Sequence, residues 1–188
     1  TASENNAWLL NIRGRDAEHA PIPHCYILID RNKNIDLFCD TNKISLPLKN
    51  YFKKIKFLNF KSIDEILLSI QNKKFIIDTN TCSIYFQNII LKNNNILKSY
   101  DPVYNLKAIK TKKEINNMRV AHVYDGAALT RYLFWLKNNF AKKRITEISG
   151  SQKLYEFRKK NDKFKFLSFP TISGTGPNGA IIHYKATK

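Results

Sequence analysis

Long apolar runs are absent from this chain. Stretches such as residues 75–77 and 89–91 fall far short of the roughly 20 residues a membrane-spanning helix needs, so no transmembrane segment is expected. The opening residues, Thr1 to Asn6, lack the basic stretch and apolar core of a signal peptide, and the expected compartment is the cytoplasm. Cysteine is scarce and unpaired. Cys25, Cys39 and Cys82 form no Cys-x-x-Cys and are widely spaced, which argues against a disulfide framework and a structural zinc knuckle. They read as reduced, small apolar side chains, and no His-partnered signature marks any of them as a nucleophile.

Arginine is thin as well. The 32 basic residues against 15 acidic ones give a formal charge of +17, yet only 7 of the 32 are arginine. Clustered basic side chains would point to nucleic acid, because they neutralise phosphates and release counterions. Here the paired lysines at 53–54, 73–74, 112–113, 142–143 and 159–160 are scattered, and the side chain best suited to bidentate base contacts is the rare one. Lys, Asn and Ile together make up 69 of 188 residues, the bias A/T-rich codons would give any protein. A solvated basic surface with weak polyanion affinity is expected, with no specific nucleic-acid partner and no membrane partner.

What is present is a globular pattern, 43% hydrophobic and long enough to bury a core. Residues 7–12, 25–30 and 35–39 are short apolar runs bounded by Gly14, Pro21, Pro23 and the turn at 31–34. They predict strands, the last two forming a hairpin. Ser62 followed by Glu65 predicts a capping box opening a helix with Ile63, Ile66, Leu67 and Ile70 on one face. Residues 74–78 predict a strand, and a helix from Thr81 toward Leu91 follows, although strand remains open there.

The pattern breaks around Pro102, and a domain boundary is placed between Ser99 and Lys110, giving domains 1–106 and 107–188. Beyond it Thr111 and Glu114 form a second capping box. Ile115, Met118, Ala121, Leu129, Leu133, Leu136 and Phe140 then recur at helical spacing, predicting a long helix to about Asn139. Gly126 in its middle suggests close packing. Thr146 predicts the cap of another helix reaching about Lys160, and residues 164–169 and 180–184 predict strands flanking the glycine-rich run 173–179.

Chemistry-bearing residues are few. Of the four histidines, His19 and His24 lie in a proline-containing loop, and no two histidines form a ligand pair. His122 and Asp125 stand at i, i+3 on the long helix. That spacing can place two ligands on one face, and equally gives a hydrogen-bonded surface or packing pair. The run Gly174-Thr175-Gly176-Pro177-Asn178-Gly179 is no phosphate cradle: no Lys-Ser/Thr follows, the spacing is not Gly-x-Gly-x-x-Gly, and Pro177 removes an amide donor. It reads as a tight connection delivering a strand that presents His183 at its end.

The stretch from Leu167 to Tyr184 closely resembles the opening of the catalytic domain in three-domain aminopeptidases P. Trp8 to Gly14 resembles the middle-domain strand of that family. Glu114, Met118, Arg119, Ala121, His122, Asp125, Gly126, Ala127, Leu129, Trp135 and Leu136 are similar to its long linking helix, and Thr146-Glu147-Ile148 and Phe157-Arg158 fit as well. The matches run in family order, with residues 40–100 the least diagnostic.

The resemblance implies an α/β chain: a creatinase-like middle domain (1–106), then the first helices and strands of a pita-bread metallopeptidase domain (107–188). It implies removal of an N-terminal residue when proline follows, by a cytosolic enzyme. In the family two metals, usually manganese, sit between two Asp, one His and two Glu, and activate a bridging water. The position matching His183 belongs to the substrate cleft and is not a metal ligand. The family's metal ligands would fall beyond Lys188, so the expected set of catalytic and metal residues in this chain is empty, and the 188 residues alone are expected to be inactive. The remainder of the catalytic domain is then an expected partner, with a second copy of the chain a further candidate. The competing expectation is a non-catalytic remnant acting as a binding or dimerisation module.

Overall fold

The computed structural model describes residues 1–187, and these form two compact units that divide after Ile109. The first unit is α/β. Its elements are helix α1 (Ser3–Leu9), strands β1 (Tyr26–Ile29) and β2 (Ile35–Cys39), helix α2 (Leu46–Tyr51), strand β3 (Ile55–Asn59), helix α3 (Ile63–Ser69), strand β4 (Lys74–Ile77), helix α4 (Ile84–Leu91), strand β5 (Asn95–Lys98) and helix α5 (Val103–Ala108).

β1 and β2 form the expected antiparallel hairpin, with Tyr26 opposite Phe38 and Ile29 opposite Ile35. Asp30 builds its turn: the carboxylate accepts from the backbone N–H and the side-chain amide of Asn34, at 2.9 and 2.7 Å. β3 then pairs with β2 in parallel, which the crossover through α2 makes possible. β4 and β5 form a second, two-stranded parallel sheet connected through α4.

β2 is central and covered on both faces. The period-two alternation of strand side chains sends Phe38 to one side and Leu37 and Cys39 to the other. On the first side Phe38 joins Ile63, Leu67, Phe75, Ile89 and Ile90, so one apolar core ties the hairpin to α3, β4 and α4. On the second side Cys25, Leu37 and Cys39 are packed by Leu10, Ile12 and Phe57. All three cysteines are free and buried, and burial pushes the Cys25 thiol up to about 11.

Two expectations fail in this unit. Residues 7–12 are not a strand: Ala7 to Leu9 end α1, and the chain leaves it through Asn11 at φ 51°. The amide of Ile12 reaches the Ala7 carbonyl and that of Asn11 the Trp8 carbonyl, at 3.0 and 3.1 Å, the paired bonds of a left-handed helix stop with Asn at its pivot. Ser62 does not cap α3 either. It is already helical, at the end of a 3-10 turn from Phe60, and its hydroxyl donates to the Asn59 carbonyl at 2.7 Å. Asn59 caps that 3-10 turn, its side chain accepting from the Lys61 amide.

The second unit is helical: α6 (Lys112–Asn139) and α7 (Glu147–Lys159), followed by a 3-10 turn at Gly176–Ala180. The Thr111–Glu114 capping box forms as expected, and Thr146 makes a corresponding one with Ser149. Arg158 of α7 grips Asp125 of α6 with two bonds, at 2.6 and 3.1 Å. The strands expected at 164–169 and 180–184 are absent. Among the described residues this unit holds no strand for them to pair with, and a lone strand leaves its amides and carbonyls unpaired. Gly126 is not closely packed, since a Cβ built there meets nothing within 4 Å.

Candidate functional site

The run that carried the resemblance folds as a loop after α7 in the second unit. It turns back on itself at Gly174, where an added Cβ would lie 2.9 Å from the Asn178 carbonyl oxygen. Gly176 takes φ 58°, open to glycine without strain. His183 follows the 3-10 turn rather than ending a strand, and it too is left-handed, at φ 55°. Its side chain is exposed. Tyr184, next along, is half-buried and donates its hydroxyl to Glu147 of α7 at 2.7 Å.

Glu147 gathers the rest of the loop. Its carboxylate also accepts from the Thr175 amide at 2.6 Å and from the Asn178 side-chain amide at 3.1 Å. The Tyr184 hydroxyl first, then Asn178 and Thr175, hold the Glu147 carboxyl below its ordinary range. The same bond holds the Tyr184 phenol above its ordinary value.

The other histidines are not brought to this place. His122 engages the Met118 carbonyl of its own helix at 2.9 Å, while Asp125 is committed to Arg158, so the two do not act as a ligand pair. His24 is exposed in the first unit, its ring lying 5.1 Å from Phe60 and 5.6 Å from Tyr26 between centroids. His19 stands 3.9 Å from Glu18. No group of three or more His, Cys, Asp or Glu converges as a metal cage among the described residues. An open apolar groove in the second unit, lined by Thr130, Phe134, Trp135 and Phe157 among others, does not include His183. Among the described residues no helix is long and apolar enough to cross a membrane.

The residues that sequence reasoning did not single out are Glu147, Asn178 and Tyr184. Glu147 was visible only as part of a matching tripeptide. Its partners lie 28 to 37 residues further on, beyond any local spacing rule.

Comparison with known proteins gives these pieces a common frame. Residues 1–114 match the Creatinase/Prolidase N-terminal domain family, and residues 116–188 match Metallopeptidase family M24. A "Probable Xaa-Pro aminopeptidase P" of Ajellomyces capsulatus is 36% identical over 200 residues, covering 97% of this chain and 32% of the relative. One from Laccaria bicolor is 37% identical over 193 residues, covering 98% of this chain and 30% of its own length. The chain thus spans about a third of the length of these relatives. Among solved structures, an Xaa-Pro dipeptidase from Bacillus anthracis superposes with a TM-score of 0.59 at 18% identity, over 85% of this chain and 43% of that one. This last likeness is one of fold.

Proposed function

The chain belongs to the creatinase/prolidase family through residues 1–114 and continues into a metallopeptidase M24 segment, and on that premise we propose that it supplies the middle domain and the opening of the catalytic domain of an Xaa-Pro aminopeptidase. The observation that carries this reading is the similarity to the fungal aminopeptidases, which extends across both segments and 97% of the chain. In this reading residues 1–106 are the middle domain and 107–188 the start of the catalytic one. The substrate is a peptide with proline second, and His183 offers its imidazole as a hydrogen-bonding group to that peptide near the scissile bond.

The activity of the family calls for two divalent metals, manganese in this proposal, to supply a hydroxide nucleophile. The described residues do not fit them, since no cage of three ligands converges. What this chain contributes is therefore orientation, which lowers a barrier only where a nucleophile is also present. The 188 residues as a separate polypeptide do not turn over peptide. Free, buried thiols support a reducing compartment, the cytosol. The basic surface serves solubility, and no specific nucleic-acid partner belongs to this reading.

A chimera tests it. When these 188 residues replace the matching segment of the Laccaria bicolor relative, the purified protein should release alanine from Ala-Pro-Ala, and a chelator should abolish the release. His183→Ala in the chimera should lower kcat/KM by about 100-fold or more, the scale of a lost positioning contact. A folded, metal-loaded chimera indifferent to His183→Ala overturns the role given to His183. Chelator-sensitive turnover by the 188-residue chain alone overturns the assignment of the chain as a non-catalytic portion.

A further inference from the structure

An acidic residue at the first position of a helix ordinarily serves that helix, by favourable placement against its dipole or by capping its free amides. Glu147 does something else. The amides of α7 are capped by Thr146, whose hydroxyl accepts from the Ser149 N–H at 3.1 Å. The Glu147 carboxylate turns away to residues far along the chain. One oxygen accepts from the Thr175 backbone amide and the Asn178 side-chain amide, and the other accepts from the Tyr184 hydroxyl. Asn178 and Tyr184 are themselves joined at 3.0 Å.

We propose that Glu147 is a positioning residue for the substrate cleft, clamping both ends of the loop from Thr175 to Tyr184 and thereby fixing where His183 is presented. The proposal rests on the reading of His183 as a substrate contact and deepens it. His183 is one peptide unit from the anchored Tyr184 and sits at a positive φ that a non-glycine residue keeps only when its surroundings hold it there. Its own side chain is exposed and does not provide that hold. Gly174 lets the near end of the loop fold onto Asn178, so the anchors at Thr175, Asn178 and Tyr184 bracket a closed turn rather than an open strap. The depressed Glu147 carboxyl and the elevated Tyr184 phenol agree with a charged clamp.

Magnetic resonance on the 188-residue chain tests the clamp without catalysis. In Glu147→Gln the Thr175 amide should exchange with solvent about tenfold faster or more, as a local opening becomes easier. The Tyr184 phenol should titrate closer to the ordinary value of about 10. The His183 ring signals should move, while α7 stays helical through its Thr146 cap and the Arg158–Asp125 pair. Glu147→Asp should restore part of the protection. Tyr184→Phe, which removes one anchor and leaves the carboxylate, should shift the His183 signals on its own. Unchanged Thr175 exchange and His183 signals in Glu147→Gln overturn the proposal. If Glu147→Gln fails to fold, unmoved His183 signals in Tyr184→Phe overturn it instead. Ala-Pro-Ala at millimolar concentration separates this proposal from the one beneath it. A shift of His183 in the wild type that weakens in Glu147→Gln supports both. A loop that loosens in Glu147→Gln while the peptide moves His183 in neither protein supports the clamp and sinks the substrate role of His183.

Discussion

The two units hold themselves together by different means. In the first, strands and helices of ordinary length close around shared side chains, and every buried apolar residue of the described chain except Ala128 lies there. In the second, α6 exposes Met118, Val123, Leu133 and Phe134 along its length, and order comes from polar ties: two capping boxes, the Asp125–Arg158 pair and the Glu147 clamp. Burial of apolar area is non-directional and pools over many residues, whereas capping and ion pairing act one contact at a time. The first unit should therefore be sensitive to lost volume and the second to lost hydrogen-bonding groups.

The largest expected effect follows from that contrast. Phe38 is 2% exposed at the centre of the first unit's core, so Phe38→Ala should cost about 3–5 kcal/mol and unfold that unit in mild urea. Leu133, 54% exposed on α6, should cost under about 1 kcal/mol when cut to alanine. Each unit carries one tryptophan, Trp8 and Trp135, so fluorescence of Trp8→Phe and Trp135→Phe backgrounds follows the two transitions separately. Equal losses from the two truncations would break the comparison.

Caps come next in size. Thr111 and Ser62 both stand before a Glu three residues on, and only Thr111 makes the reciprocal bonds, its hydroxyl accepting from the Glu114 amide at 3.2 Å and Glu114 accepting from the Thr111 amide at 2.7 Å. Thr111→Ala should cost about 1 kcal/mol in urea unfolding, and Ser62→Ala a few tenths. A Ser62→Ala loss as large as that of Thr111→Ala would mean that the hydroxyl of Ser62 does cap α3 in solution.

That pair also shows what a sequence reveals. The Ser/Thr-x-x-Glu signal specifies a local competence, and the long helix, the β1–β2 hairpin and α3 were legible because their determinants lie within a few residues. Whether the competence is used depends on the preceding backbone, and the 3-10 turn begun at Asn59 took the cap from Ser62. At residues 7–12 the apolar run hid the Asn11 stop, a signal that is short and shared with turns. β3 and β5 were missed because they are brief and rich in Lys and Asn, and become strands only through parallel partners remote in sequence. The strands expected at 164–169 and 180–184 are the reverse case, apolar enough but without partners among the described residues. The loop site follows the same rule: resemblance named His183, while Glu147 acquires its role only once α7 and residues 175–184 are folded together.

Effects of under about 1 kcal/mol are also expected at two glycines of the second unit, where alanine should help at one and not at the other. Gly126 lies inside α6 with open space around the position of a Cβ, so alanine there removes backbone freedom from the unfolded chain and meets no resistance in the folded one. Gly126→Ala should stabilise the helix by about 0.5–1 kcal/mol. Gly150, buried in α7, has neighbours there: its Cβ would stand 3.8 Å from the Ile145 Cγ2, an ordinary contact, and 3.0 Å from the Tyr132 hydroxyl oxygen, which would have to give by a few tenths of an ångström. Tyr132 is stacked on Trp135 with ring centroids 6.0 Å apart, so the displacement passes to the Trp135 ring, over which Lys153 of α7 and Lys143 of the preceding connection place their ammonium groups. The helical gain of alanine at 150 should be cancelled or reversed by this crowding, and the Trp135 emission should change even in native buffer. Urea unfolding followed through Trp135 in a Trp8→Phe background reads both variants. A destabilising Gly126→Ala would show that α6 is more tightly covered in solution than its open face indicates, and a stabilising Gly150→Ala with unaltered Trp135 emission would show that Tyr132 yields at no cost.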